Sequence, residues 1–335
     1  MSRPPSKTVT LHDVAHVAGV SFMTVSRALN SPAMVSPATL EKVKAAVAAT
    51  GYIPNLLAGG LKSRRSMTVV GLVPIISVPQ FLPTVRALTE TLDQHGYQLI
   101  LGQTGYDHER EEKLIATMMG RRPDGVVVTG RVHSHHARQQ LQSLQVPVVE
   151  TWDLPDTPVD MAVGFSHEQV GAAVAEHFLA KGWTHVAIAT GNDERAQRRM
   201  QGFLHRMGTA GHAVPTAINE APSHLAHGRR ALGHLLEQAP QVRAVYCSSD
   251  ALAHGVMVEA MTRGLRVPQD LAVCGFGDAD FAAHLYPSLT TVRIDGERIG
   301  RQAAQLVLDR CLGRSVPAKV IDVGFDIVQR QSTQA

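Results

Sequence analysis

The run Val9 to Arg27, VTLHDVAHVAGVSFMTVSR, constrains the chain most, because two short apolar-periodic segments flank Ala18-Gly19-Val20. Glycine at the centre permits a sharp turn that other residues resist. Thr10 offers a capping hydroxyl to a first helix carrying Leu11, Val14, Ala15 and Val17. Ser21 does the same for a second helix, which turns Val25, Ala28 and Leu29 inward and leaves Phe22, Met23, Ser26, Arg27 and Asn30 able to face a groove. Ser36 followed by Pro37 opens a third helix over Leu40, Val43, Val47 and Ala48. Three small helices sharing one core, with the second facing outward, make a helix-turn-helix, which reads DNA. Phe22 has the alternative of packing into that core, where phenylalanine usually lies.

Charge separates this head from the rest. Residues 1 to 65 hold eight Lys or Arg against Asp13 and Glu41, a balance of +6, whereas the whole chain is +3 and residues 66 to 335 therefore carry −3. A basic head on a mildly acidic body is the electrostatic footprint of a phosphate-contacting module.

From Met67 onward short apolar strands alternate with amphipathic helices. TVVGLVPII (68 to 76), YQLILG (97 to 102), GVVVTG (125 to 130) and VPVVET (146 to 151) form one series. MAVGF (161 to 165), HVAIATG (185 to 191), AVYCS (244 to 248) and LAVCGF (271 to 276) form a second. Each alternation predicts a parallel sheet with crossover helices, and two consecutive series predict two lobes with a ligand cleft between them. Cys247, Cys274 and Cys311 give no disulfide pattern, no apolar run reaches the roughly 18 residues of a membrane span, and Met1 to Thr10 is too polar for a secretory signal. A cytoplasmic protein without membrane partners is expected.

The motifs TLHDVA (10 to 15), AGVS (18 to 21), TVSRALN (24 to 30), VS (35 to 36) and GYIPN (51 to 55) resemble the headpiece of the LacI family, the lactose and purine repressor family of bacterial transcription factors. Length and pattern extend the resemblance over nearly the whole chain. It implies a headpiece over 1–53, a hinge helix and linker over 54–66, and a two-lobed, periplasmic-binding-protein-like α/β domain with two parallel sheets over 67–335. Crossings near Gly164, Arg293 and Asp322 put 67–164 and 294–322 in one lobe, and 165–293 and 323–335 in the other.

The resemblance further implies that Phe22, Met23 and Arg27 read bases. Ser21, Thr24, Ser26, Asn30, Ser36 and Asn55 would lie near phosphates, Leu61 would wedge into the minor groove, and Thr10 and Ala58 would also be DNA-binding. Phe22 and Met23 replace the Tyr and Gln of the lactose repressor, so they favour thymine methyls or shape and leave Arg27 to read guanine. Gly59 and Gly60 each cost a helix about 1 kcal/mol relative to alanine, which predicts a hinge without stable helix in the absence of DNA.

For the cleft, the implied effector residues are Ile75, Phe81, Trp152, Phe165, Arg199, Ser249 and Asp250, with Ser249 where the lactose repressor has asparagine. Phe165 could offer a flat wall to a ligand or pack in the core. The family's effector-binding aspartate after the GF strand end is Gly277 here, although a turn needing positive φ explains a glycine equally well. Loss of that carboxylate, together with Arg131 at another strand end, points to an anionic ligand. TGRVH (129 to 133), VDMAVGF (159 to 165) and IDVGFDI (321 to 327) resemble the gluconate-operon repressor branch. The expectation is therefore a homodimer that releases a pseudopalindromic operator when gluconate or 2-ketogluconate binds. A neutral-sugar response or corepression is the alternative. No leucine heptad follows Gln329.

Other features do not amount to chemistry. His133, His135 and His136 lack Cys or acidic partners at metal-ligand spacing, and GGLKS (59 to 63) lacks the first glycine and preceding strand of a phosphate loop. No GxSxG, HExxH or dinucleotide fingerprint occurs, so neither an enzyme nor a cofactor is expected.

Overall fold

The computed structural model describes residues 9–53, 65–143 and 145–334. It divides into two compact units, Met1–Ser66 and Met67–Ala335. In the first, α1 (Leu11–Ala18), α2 (Phe22–Asn30) and α3 (Pro37–Thr50) enclose a core of Val14, Val25, Ala28, Val43 and Ala46. Ser21 Oγ accepts the Thr24 N–H at 3.2 Å and Ser36 Oγ accepts that of Thr39 at 3.3 Å, so both hydroxyls satisfy otherwise orphaned helix-start donors. At α1 the Asp13 carboxylate accepts both the Thr10 N–H and its hydroxyl, each at 2.8 Å. Gly19 makes the turn at φ +65°.

Two apolar assignments within this head are corrected. Val17 and Ala48 are exposed, and Ala18 and Ala46 take the inward positions. In both helices the buried stripe keeps to i, i+3 and i+4, and the excluded residue lies a further 100° round the helix. Asn55, Ala58 and Leu61 lie outside the described residues, as do the Asn30 side chain and most of the hinge.

The second unit contains two six-stranded sheets with the same plan. One has strand order β11-β5-β4-β3-β1-β2 and is parallel throughout. Its strands are β1 (Thr68–Val73), β2 (Gln98–Gln103), β3 (Gly125–Thr129), β4 (Val148–Thr151), β5 (Met161–Gly164) and β11 (Val320–Asp322). The other has order β12-β10-β9-β8-β6-β7, from β6 (Val186–Gly191), β7 (Thr216–Asn219), β8 (Ala244–Cys247), β9 (Ala272–Phe276), β10 (Thr290–Arg293) and β12 (Asp326–Val328). This second sheet is not wholly parallel, since β12 pairs antiparallel with β10. β10 leaves this sheet towards the other lobe and β12 returns from that lobe at the same end, so the two strands run in opposite directions.

Helices α4 (Leu82–Asp93), α5 (His108–Met119), α6 (His135–Ser143) and α11 (Gly296–Cys311) pack with the first sheet. Helices α7 (His167–Ala180), α8 (Glu194–Thr209), α9 (Leu225–Gln238) and α10 (Asp250–Thr262) pack with the second. The chain passes between lobes after β5, after β10 and after β11. In each sheet the order reverses beside the first strand, at β1/β3 and β6/β8, which is where open α/β sheets place ligands.

One aromatic chain joins the two lobe cores. Phe81 meets Trp152 edge-on at 5.1 Å between centroids, Trp152 meets Phe165 at 6.0 Å, and Phe165 meets Phe276 at 6.2 Å. Among the described residues no helix is long and apolar enough to cross a membrane.

Candidate functional site

On the head, α2 presents its N-terminal residues outward. Phe22 is 38% exposed and Met23 52%, and Arg27, Thr10, Ser21 and Ser36 are exposed as well, while Thr24 and Ser26 are half-buried. Phe22 therefore stays out of the core. Its ring stacks on His12 at 4.7 Å with an interplanar angle of 22°. That face therefore offers one stacked aromatic pair, one thioether and one guanidinium to solvent.

In the body, a cavity of about 260 Å³ opens between the lobes. Phe81, Trp152, Arg199, Ser249, Asp250 and Gly277 all line it. Arg199 projects from the second turn of α8, nearly fully buried, with its guanidinium over the Phe276 ring at 3.9 Å. Its Nη1 donates to His167 Nδ1 at 3.0 Å and its Nη2 to the Ser248 carbonyl at 2.9 Å. Because His167 Nδ1 accepts, its Nε2 carries the proton and donates to the Trp152 carbonyl at 2.9 Å. Burial first, then the charges of Arg199, Arg195 and Arg198, hold His167 far below its usual pKa, so the ring is neutral at pH 7. Arg199 Nε is buried without a hydrogen-bond partner.

Asp250 sits on the far wall. It accepts the Thr291 hydroxyl at 2.6 Å and the Ala279 N–H at 2.7 Å, yet burial lifts its pKa to about 6. Ser249 is the N-cap of α10, accepting the Leu252 N–H at 3.3 Å. Gly277 has φ +125°, a backbone region essentially reserved for glycine, so its side-chain absence is set by the turn as well as by the cleft.

Two effector assignments are corrected, and a third residue lines a neighbouring cavity. Phe165 is fully buried in the aromatic chain and does not line the cavity, because β5 turns it between the lobe cores. Ile75, just past β1, also lies off the lining. Arg131 faces an adjoining cavity of about 430 Å³ instead, and its charge is already met: its Nε donates to Asp153 at 3.2 Å and its Nη2 to the same carboxylate at 3.4 Å. Asp153 is buried and takes a second guanidinium from Arg198 across the cleft, at 2.6 and 2.7 Å. Sequence reading did not find Asp153, Arg198, Arg195, Tyr106 or His167. Arg195 and Arg198 stand beside Arg199 in the run RAQRRMQGF (195 to 203), where nothing distinguishes them from exposed arginines.

His133 has two acidic partners, both distant in sequence. Glu111 of α5 lies on its own lobe and Glu194 of α8 on the other, and the two hydrogen bonds, Glu111 first, raise its pKa to about 9 against the cost of burial. The described residues hold no cluster of three metal-ligating groups. Because the folded pKa exceeds the unfolded one, stability from this bridge is fully present below about pH 6.5 and is lost as pH rises through about 9. His133→Ala should therefore lower the melting temperature at pH 6.5 and leave it nearly unchanged at pH 10, as calorimetry at the two pH values would show.

A helix-turn-helix followed along the chain by a two-lobed α/β domain with an inter-lobe cavity defines a DNA-binding regulator. Residues 10–55 match the model of bacterial regulatory proteins of the lacI family, and residues 175–333 match that of a periplasmic binding protein-like domain. The HTH-type transcriptional regulator GntR of Pseudomonas aeruginosa is 35% identical over 97% of this chain and 95% of its own. A LacI-family transcriptional regulator from Silicibacter pomeroyi superposes with a TM-score of 0.91 at 32% identity, covering 97% of this chain and 99% of that one. The lac repressor dimer, solved with operator and the anti-inducer ONPF, gives 0.85 at 26% identity over 98% and 100% of the two chains. The chain belongs to the LacI family and is a DNA-binding transcriptional repressor, as its relatives are regulators and not enzymes.

Proposed function

We propose that the protein is a homodimer that represses sugar-acid catabolic genes, and that gluconate or 2-ketogluconate binding between the lobes releases its pseudopalindromic operator. The observation that carries the sugar-acid reading is Arg199. A buried guanidinium is costly unless paired, yet among the described residues no carboxylate lies within ion-pair distance of it and its Nε has no acceptor. An incoming carboxylate supplies both the charge and the acceptor, in the planar geometry that arginine favours. Arg131, already neutralised by Asp153, no longer supports this reading. Likeness to a repressor solved as a dimer on its operator supports the assembly and two-fold operator symmetry.

Isothermal titration tests the ligand class. Heat with gluconate or 2-ketogluconate and none with glucose or hypoxanthine is the expected result, and binding of the neutral compounds alone overturns it. For the head, Arg27→Ala is expected to cost about 1–3 kcal/mol on the preferred duplex while leaving a scrambled duplex almost unaffected, because a base contact carries sequence preference and a phosphate contact does not. Fluorescence anisotropy on both duplexes separates the two roles.

A further inference from the structure

The cavity holding Arg199 and the larger cavity beside it share part of their walls. Tyr106, Asp193 and Arg195 line both. Arg195, one helical turn before Arg199 on α8, straddles the divide. Its guanidinium carbon lies 5.2 Å from the centre of the Phe81 ring, a wall of the first cavity. Its Nη1 approaches Gly130, a wall of the second, so closely that a Cβ there would sit 3.4 Å away. That Nη1 is buried and has no hydrogen-bond partner. The other cations of the second cavity are already engaged, Arg131 by Asp153 and His133 by Glu111 and Glu194. Arg195 thus stands where the two cavities meet, with an unmet donor between them.

We infer that the two cavities form one two-chamber effector site and that Arg195 is its specificity-determining residue, selecting an extended open-chain polyhydroxy acid over a compact ring. The inference rests on the sugar-acid reading above. The ligand carboxylate meets Arg199 in the first chamber. Its polyol chain passes Arg195, whose Nη1 donates to a hydroxyl oxygen, and continues into the second chamber along Thr129 and Gly130. A ring confined to the first chamber leaves the Arg195 Nη1 beside Gly130 unmet. Since Arg195 rises from one lobe and Phe81, Tyr106 and Gly130 belong to the other, a chain threaded past it ties the lobes at one more point.

The test is calorimetric titration of gluconate into the full-length protein and into Arg195→Ala, Arg195→Lys and Thr129→Phe. Thr129→Phe fills the second chamber without touching Arg199. Unliganded melting temperatures close to that of the parent establish that the variants fold. Losses of more than tenfold in affinity for Arg195→Ala and for Thr129→Phe, with a smaller loss for Arg195→Lys, support the two-chamber site. Gluconate binding within twofold of the parent in Thr129→Phe overturns it even if Arg195→Ala is impaired, because the ligand then stays in one chamber. Failure of the parent protein itself to bind gluconate or 2-ketogluconate defeats the sugar-acid reading, and this inference with it.

Discussion

Replacing Arg199 by alanine is expected to abolish the response to gluconate, lowering its affinity at least about 100-fold, while operator binding without ligand stays within a few-fold of the parent. The expectation follows from where the guanidinium is and what surrounds it. It is buried, rests on the Phe276 ring, and spends two nitrogens on a neutral imidazole and a backbone carbonyl. Among the described residues no carboxylate lies within ion-pair distance of it, so a bound carboxylate gains a strong, desolvated, charge-assisted contact. Truncating one side of such a pair typically costs about 2–5 kcal/mol. The same substitution leaves His167 Nδ1 and the Ser248 carbonyl unmet and opens space over Phe276, which should lower stability by a further few kcal/mol. Titration of gluconate into the variant measures the first effect; an affinity within threefold of the parent would show that the carboxylate goes elsewhere.

The second large effect concerns how α8 is held. Gly171 on α7 and Gly202 on α8 let the two helices touch backbone to backbone. A Cβ on Gly171 would fall inside the contact radius of the Arg199 carbonyl oxygen, and one on Gly202 would do the same to the Glu168 carbonyl. Both obstacles are main chain, so no side chain can swing away and the helices must separate. Gly171→Ala is therefore expected at or above the upper end of overpacking costs, about 3 kcal/mol, or roughly 6–12 °C in melting temperature for a domain of this size. The separation also moves Arg199, so gluconate affinity should fall with stability. Gly208 lies on the same helix, and a methyl group there would meet nothing within 4 Å, so Gly208→Ala should be neutral or stabilising by up to about 1 kcal/mol. Equal melting temperatures for the two variants would contradict the close-approach account.

How much of this was legible in the sequence follows how local each cause is. Ser21 and Ser36 could be recognised as caps because their acceptors and donors lie within four residues. The strand-helix alternation was legible where strands were apolar, but TAIN (216 to 219) and TTVR (290 to 293) are short and mixed, and they become strands only beside β6 and β9. Arg131 looked free because its partner lies 22 residues on, brought alongside when β3 and β4 pair. Phe165 offered no way to choose between wall and core until Trp152 and Phe276 were placed on either side of it. Gly171 and Gly202 read as ordinary weak helix formers, since what they permit is a contact between two helices. Arg199 is implied by the family resemblance, yet its unmet Nε, the reason it asks for an anion, is visible only in three dimensions.

The measurement closest to the central claim is the anisotropy of a labelled operator duplex, chosen by selection from random sequence, titrated with the full-length protein with and without saturating gluconate. The account predicts a pseudopalindromic duplex and an affinity that falls about 5- to 150-fold with gluconate, the range of a 1–3 kcal/mol coupling between sites. An operator affinity that gluconate leaves unchanged, or strengthens, would contradict it.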